Sequence, residues 1–427
     1  MRKLLYFILK IITKKIIKKY RPFIIAITGS VGKTSAKEAI YSVVAKHHQV
    51  RKNEKNYNNE IGVPLTVIGA NEPGGKSIFK WFKIFIQGLK ISYKKPEDFP
   101  EMLILEYGAD RPGDIDYLLN IVPCDIGVLT AIAPVHLEFF GSLENVFSEK
   151  SKIITKLANA HIAVFNGDDS KIKELKNQTK AKVFTYGFND GNNFRAQDVK
   201  ISHKNGQPGM SFKLKYDGKT IPVFLPNILG KPQVFACLAA IAVGRVMNIN
   251  VLDIIENLQS YKAPKGRTNL IEGIKNSTIL DDSYNSSPTS ASAALEILSE
   301  IQIPEGCKRV AVLGDMLELG NYTEQGHQQV GEKAANIGAD LLIVVGEKSR
   351  DIIRGAIKAG MPEERTAHFN NNHDAGIFVQ EKIHQGDIVL IKGSQGARME
   401  QIVKELMAEP MSAEKLLVRQ SEEWLKK

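Results

Sequence analysis

Near its start the chain runs Phe23-Ile24-Ile25-Ala26-Ile27 directly into Thr28-Gly29-Ser30-Val31-Gly32-Lys33-Thr34-Ser35. The apolar run predicts a buried strand, and the residues from about Thr34 predict a helix. A strand that turns through two glycines into a helix aims backbone N–H groups at one point, and the helix N-terminus adds positive potential there. That arrangement cradles phosphate. In such a loop Lys33 reaches the β- and γ-phosphates and the Thr34 hydroxyl holds Mg²⁺, with Gly29, Ser30, Gly32 and Ser35 completing the nucleotide cradle. The strict phosphate-loop pattern has Gly where Ile27 stands. The strand–loop–helix context therefore carries the prediction.

At 427 residues the chain is long enough for two or three domains. Of its formal charge of +10, +8 lies in residues 1–21, leaving +2 for the rest. The body is near neutral, so the basic balance is no argument for a nucleic-acid partner, and none is expected. Cys124, Cys237 and Cys307 are scattered and form no CxxC pair. They suit a reducing cytoplasm and supply neither a disulfide framework nor a metal ribbon.

In residues 1–21, Leu5, Leu9, Ile12, Ile16 and Tyr20 fall on one helical stripe and Lys10, Lys14 and Lys18 on another. The apolar run is too short to span a bilayer, and no signal-cleavage site follows. This basic amphipathic helix suits two settings: an anionic membrane interface, or packing against the neighbouring domain. Trp81, Phe82, Phe85 and Leu89 repeat the pattern among lysines in residues 76–95. That stretch reads as a helix packed on the core, or as a second membrane-facing or substrate-covering element.

From 101 to about 165, apolar strands alternate with helical patterns, which argues a parallel sheet with helices on its faces. Residues 180–226 read as a small antiparallel excursion, and residues 234–247 as a helix. Ala263-Pro264-Lys265-Gly266-Arg267 reads as a linker. A second α/β unit follows, with strands expected at STILDD, RVAVLGD, DLLIVVG and DIVLIKG. The expected fold is α/β: the basic helix 1–21, a central P-loop ATPase domain at 22–265 with a mostly parallel sheet, and a C-terminal Rossmann-like domain at 266–427.

Glu106 ends the strand Met102–Glu106, where a carboxylate beside a phosphate loop is placed for Mg²⁺. His136 follows another apolar strand, and Lys150, taken alone, reads as a surface lysine. Asp281-Asp282-Ser283-Tyr284-Asn285 closes a further strand, which suits ribose or phosphate contacts or a helix N-cap. Arg267 lies in the linker, where domain closure would bring its guanidinium to a phosphate.

Eight segments in order resemble the Mur ligase family: ITGSVGKTS (27–35), NYNNEIGVPLT (56–66), LEYGADRPGDI (105–115), PVHLEFFGSLENVFSEK (134–150), GRTNLIEG (266–273), LDDSYNSSPTS (280–290), VLGDMLELG (312–320) and IKGSQGARMEQIV (391–403). NNEIGVP and DDSYN point to its D-alanyl-D-alanine-adding branch. The resemblance implies an ATP-dependent amide ligase that phosphorylates the carboxylate of a UDP-muramoyl tripeptide. D-Ala-D-Ala then displaces the phosphate, a step of peptidoglycan precursor synthesis. It implies that Lys33 contacts the phosphates, that Thr34 and Glu106 hold one Mg²⁺ and that His136 binds a second. Lys150 matches a lysine carbamylated in many members. Arg267, Asp282 and Asn285 match nucleotide contacts, Asn56, Asn58 and Asn59 the muramoyl-peptide loop, and Ser394 and Arg398 the acceptor side. A monomer is expected.

Two departures stand out. Members usually carry an N-terminal uridine-binding domain, whereas here only the basic helix precedes the loop. Either residues 70–100 or a partner hold that end, or the carboxylate donor differs. The family's His-Asn…Asn-Ala pattern is replaced by Gly230–Cys237, where Gln233 substitutes for one amide. The adenine contacts are therefore not carried over. An ATP-binding, membrane-tethered scaffold without turnover is the reading from another class.

Overall fold

The computed structural model describes residues 2–54, 57–70, 73–75, 77–134, 137–204 and 207–425. Two sheets organise them. The first has β1 (Phe23–Thr28), β2 (Val50–Lys52), β3 (Met102–Glu106), β4 (Ile126–Leu129), β5 (Ile162–Asn166), β6 (Lys182–Gly187), β7 (Phe194–Lys204), β8 (Gln207–Tyr216) and β9 (Lys219–Pro226). Their order is β2-β3-β1-β4-β5-β6-β7-β8-β9. Pairing is parallel up to β7, and β7, β8 and β9 form an antiparallel meander, so the excursion expected at 180–226 begins only at Phe194, with β6 still a parallel strand of the main sheet. β1 lies between β3 and β4. Successive crossovers leave it in opposite directions, which opens a crevice at its carboxyl end.

The period of two decides which core each residue joins. Ile25 and Ile27 of β1 face one core, with Ala36, Ala39 and Ile40 of the helix Lys33–Val44 and the small-residue helix Lys231–Val246. Ile24 and Ala26 face the other, with Leu103 and Leu105 of β3.

The second sheet runs β10-β11-β15-β12-β13-β14. Its strands are β10 (Asn269–Glu272), β11 (Thr278–Asp282), β12 (Arg309–Gly314), β13 (Leu341–Val345), β14 (Thr366–Phe369) and β15 (Ile388–Lys392). The four predicted strands are its parallel centre. Sequence reading missed β10 and β14. Both are short edges with little or no fully buried surface, so neither carries the continuous apolar run that a central strand needs.

Helix α1 (Arg2–Tyr20) buries Leu9, Ile12, Ile16 and Ile17. The packing expectation is met on that face. Lysines help to clamp the helix, with Lys19 Nζ donating to Ser92 O at 3.1 Å and Lys14 Nζ to Asn120 Oδ1 at 2.5 Å. The stretch 76–95 is indeed helical, Ile78–Tyr93, and its inward face is Ile84, Gly88 and Ile91, with Trp81 and Phe85 of the expected stripe packed partly buried beside them. Phe82 and Leu89 point to solvent. Gly88 explains the rotation: a Cβ there would meet Ile12 Cγ2 at 2.7 Å, so α1 approaches closest along the Gly88 side.

Candidate active site

The loop after β1 has the geometry that its glycines predict. Gly29 has φ 149° and Gly32 φ 86°. A Cβ on Gly29 would lie 2.0 Å from Thr130 Oγ1, so no side chain fits there. Thr130, just past β4, donates to Val31 O at 2.6 Å, and Ser30 N donates to Ala131 O at 2.6 Å, which fixes the loop against the neighbouring strand. The helix Lys33–Val44 begins with no capping side chain, leaving first-turn N–H groups for a ligand. Ser30 Oγ is buried without a partner. Lys33 Nζ donates to Gly29 O at 2.8 Å. Burial lowers its pKa, and the charge of Glu106 opposes that.

Register places Glu106 opposite Ile27, at the mouth of the loop. Its carboxylate accepts from Thr34 Oγ1 at 2.9 Å and from Asn58 Nδ2 at 3.0 Å. Asn53, which sequence reading passed over among several nearby asparagines, is fully buried and holds the strand end. Its Oδ1 accepts from Glu106 N at 2.9 Å, and its Nδ2 donates to Tyr57 O at 2.9 Å and Glu106 O at 3.2 Å. Lys37 Nζ in turn donates to Asn53 O at 2.6 Å. Asn53→Ala leaves buried backbone groups unpaired, and the expected loss is about 3 kcal/mol of stability. Urea unfolding checks it, and a loss under about 1 kcal/mol would show that Asn53 does not hold this strand end.

Asn59 Oδ1 accepts from Ile61 N at 3.2 Å and Gly62 N at 3.0 Å, so in this structure it shapes the turn into the next helix. Asn58 lines the cleft and Asn59 does not. Asn56 and His136 lie outside the described residues.

Lys150 corrects the reading of a solvated lysine. It sits on the helix Leu143–Thr155, only 1% exposed, with Nζ donating to Ala109 O at 3.3 Å. Burial, and then the charge of Lys33, pull its pKa down to about 7. Its neighbour Glu149 accepts from Gly113 N at 2.9 Å and Ile115 N at 2.8 Å, holding the loop after β3 in place.

The second sheet supplies the opposite wall of a cleft of about 340 Å³. Arg267, Asp282, Asn285 and Ser394 line it together with Ser30 to Ser35, Asn58 and Glu106. The Arg267 guanidinium lies 4.3 Å from the Tyr284 ring centroid. Gln233 donates to Arg267 O at 3.2 Å and accepts from Tyr261 OH at 2.9 Å, tying the linker to the first unit. Lys392 was missed in the sequence. It is buried, donating to Asp282 Oδ2 at 2.6 Å and Asn285 O at 2.8 Å. Burial lowers its pKa and Asp282 opposes the shift. A lysine closing an apolar strand, IVLIK, was the signal available. Ser394 Oγ accepts from Leu317 N at 2.9 Å and so holds the loop after β12.

Arg398 was expected to face the acceptor and does not line the cleft. Buried Glu400 draws it aside, accepting from Arg398 Nε at 2.6 Å, and Arg398 Nη2 donates to Trp424 O at 3.1 Å.

Among the described residues no group of three or more His, Cys, Asp or Glu gathers for a metal. Thr34 Oγ1 and the Glu106 carboxylate are nevertheless hard oxygen donors side by side. That is the small protein share Mg²⁺ takes when a nucleotide and waters complete its shell, so the donor set fits.

A phosphate loop at the carboxyl end of a parallel sheet, closed over by a second α/β unit bearing Arg267 and a buried Lys392–Asp282 pair, defines an ATP-dependent enzyme of the P-loop class. The family model for the Mur ligase middle domain matches residues 86–244, and that for the Mur ligase glutamate ligase domain matches residues 266–395. The UDP-N-acetylmuramoyl-tripeptide–D-alanyl-D-alanine ligase of Bacillus subtilis is 33% identical over 390 residues, covering 91% of this chain and 77% of that protein. The Escherichia coli enzyme of the same name is 29% identical, covering 90% and 76%. A MurF ligase from Thermotoga maritima, solved with ADP, superposes with a TM-score of 0.76 at 26% identity, covering 93% of this chain and 82% of that one. The chain belongs to the Mur ligase family.

Proposed function

We propose that this chain joins D-alanyl-D-alanine to the free carboxylate of a UDP-N-acetylmuramoyl tripeptide with the hydrolysis of ATP to ADP and phosphate, in peptidoglycan precursor synthesis. The observation that carries this is the cleft itself, in which Lys33, Thr34 and Glu106 face Arg267, Asp282 and Asn285. The likeness to enzymes of that name over nine-tenths of the chain supports it. The reading takes residues 22–265 as the ATP-binding unit and 266–427 as the closing unit.

The chemistry needs two displacements. A carboxylate oxygen attacks the γ-phosphorus and ADP leaves, giving an acyl phosphate. The amine of D-Ala-D-Ala then attacks the acyl carbon, phosphate leaves, and an amide forms. Both steps spread negative charge over phosphoryl oxygens. Lys33 and the first-turn N–H groups of its helix meet that charge, and Arg267 reaches it from the opposite wall. Mg²⁺ on Thr34 and Glu106, with a second ion on His136, would neutralise the phosphate oxygens. Asn58 orients Glu106. The loop of Asn56, Asn58 and Asn59 is the muramoyl-peptide side, and Ser394 sets the loop on the acceptor side. Arg398 is not retained as an acceptor contact. Lys150 as a carbamate would place a carboxylate beside Lys33. A cytoplasmic monomer, in peripheral contact with the membrane through residues 1–21, completes the reading.

Phosphate release is the test, with Mg-ATP and each of the two substrates alone and together. Release only with both, and a pentapeptide product by mass, is expected. Release with neither substrate, or an amide made only from a different carboxylate, overturns the assignment.

A further inference from the structure

The outer faces of two helices are unaccounted for by any of this. On α1, Leu4, Phe7 and Ile11 are half or more exposed at i, i+3 and i+7, one helical stripe. On the helix Ile78–Tyr93, here α2, the stripe is longer: Phe79, Phe82, Ile86, Leu89 and Tyr93, with Phe79 87% exposed. The two helices pack side by side through Ile12 and Gly88. Lys15, one turn past Ile11, reaches across to the end of the α2 stripe, its Nζ 3.9 Å from the Tyr93 ring centroid. Apolar side chains in such a row, on two adjacent helices, are not scattered surface residues.

Charge decides what covers them. Between them α1 and α2 carry ten Lys or Arg and no Asp or Glu. Lys80, Lys83 and Lys90 alternate with the apolar stripe of α2, so ammonium groups rim it along its length. A protein partner of that shape would need a matching acidic rim around an apolar strip. An anionic bilayer offers both at once, acyl chains for the aromatics and phosphate headgroups for the lysines, which reach up on flexible stems. No described helix is long and apolar enough to cross a membrane, so the contact is interfacial.

We propose that α1 and α2 together form one composite surface that seats the enzyme on an anionic lipid leaflet, with Phe79 and Phe82 of α2 as its main inserted side chains. This deepens the peripheral contact proposed for residues 1–21 and rests on it. It adds that the deeper anchor is the second helix, at the sequence position where the chain passes from the muramoyl-peptide loop to β3. The catalytic cleft need not move for the surface to bind, and binding and turnover are separately measurable.

Flotation of the full chain with phosphatidylglycerol-containing vesicles, against pure phosphatidylcholine vesicles, tests it, with light scattering for oligomeric state. Binding to the anionic vesicles only, weakening with salt, is expected. Phe79→Ser with Phe82→Ser should weaken it at least tenfold, and Lys83→Gln with Lys90→Gln about 30-fold. Both pairs are surface changes, so lipid-free ligase activity should stay unchanged. Binding lost with Phe7→Ser and Ile11→Ser but kept in the α2 variants leaves the contact through residues 1–21 standing and overturns the composite surface. No vesicle binding overturns both. A dimer dissolved by the α2 variants, without lipid binding, shows that a second copy covers the stripe and overturns the proposal. Vesicle binding without ligase activity would leave this surface standing and sink the ligase reading alone.

Discussion

Lys33→Ala is expected to lower kcat by about 10²–10³-fold while leaving the tripeptide KM and the fold nearly untouched. The asymmetry follows from where the ammonium sits. It is half-buried in the loop, bonded to Gly29 O at 2.8 Å, and desolvation already lowers its pKa. An ammonium in that position contributes little to the stability of the empty protein, because its desolvation offsets its bonds. Removing it should shift unfolding by no more than about 1 kcal/mol. With a triphosphate present the balance changes, since the charge has a partner whose negative charge grows in the transition state. At ATP 100 times its Kd, the native enzyme should gain about 2.7 kcal/mol of stability, and the variant at the same concentration should gain almost none. Lys33→Arg should not rescue it, because a planar fork does not fit where a compact ammonium is enclosed. A variant that keeps more than about a tenth of the native kcat would remove Lys33 from the phosphoryl-transfer site.

The same loop shows what could be read without coordinates. Gly29, Gly32, Lys33 and Thr34 are legible because each is demanded by local geometry: a positive φ, a close approach to Thr130, a helix start. The parallel centres of both sheets are legible for a similar reason, as their strands are buried on both faces and run apolar. What could not be read depends on partners far away in the chain. Asn53 matters only because β3 ends beside it, about fifty residues later. Lys392 matters only because Asp282 closes the neighbouring strand. Lys150 is surrounded in sequence by Ser, Glu and Lys, which predict solvent. Its burial comes from the loop after β3, folded over it and pinned by Glu149. Arg398 lies outside the cleft for a local reason that the motif does not show: Glu400, two residues on, accepts from its Nε.

Turnover is also expected to depend on dissolved CO₂ through Lys150, and to fail when that lysine is removed. At pH 7 an ordinary lysine is neutral in roughly one molecule in 3,000. Lys150, held at about 7, is neutral in about half. The population able to attack CO₂ is therefore about 10³-fold larger. In that reaction the neutral amine nitrogen bonds the carbon, one C=O electron pair moves onto oxygen and the nitrogen gives a proton to solvent, so a neutral amine becomes an anion. With the proton already lost by the ammonium, two protons leave for each cation replaced by an anion. The second cause of the lowered pKa is the charge of Lys33, so the product turns a repulsion into an attraction. Glu106, Asp110 and Glu149 act the other way, and Mg²⁺ would offset them. The pH dependence has a definite sign. At fixed dissolved CO₂, activity should fall as pH drops through 7, because protonation removes the nucleophile. In CO₂-free buffer, stability should rise from pH 7 towards 10.5 by about 1.4 kcal/mol per unit from this group. Over that window the unfolded lysine holds a proton that the folded one lacks. Below pH 7 both forms hold it, and the contribution is flat. Lys150→Ala should lower kcat about 10²-fold whatever the CO₂ level. Isotopically labelled bicarbonate should give a carbamate carbon signal in the native enzyme and none in the variant. Full activity in the native enzyme after exhaustive CO₂ removal would mean that Lys150 works as an amine. Its closeness to Lys33 would then oppose, rather than assist, the binding of the nucleotide's cationic partners.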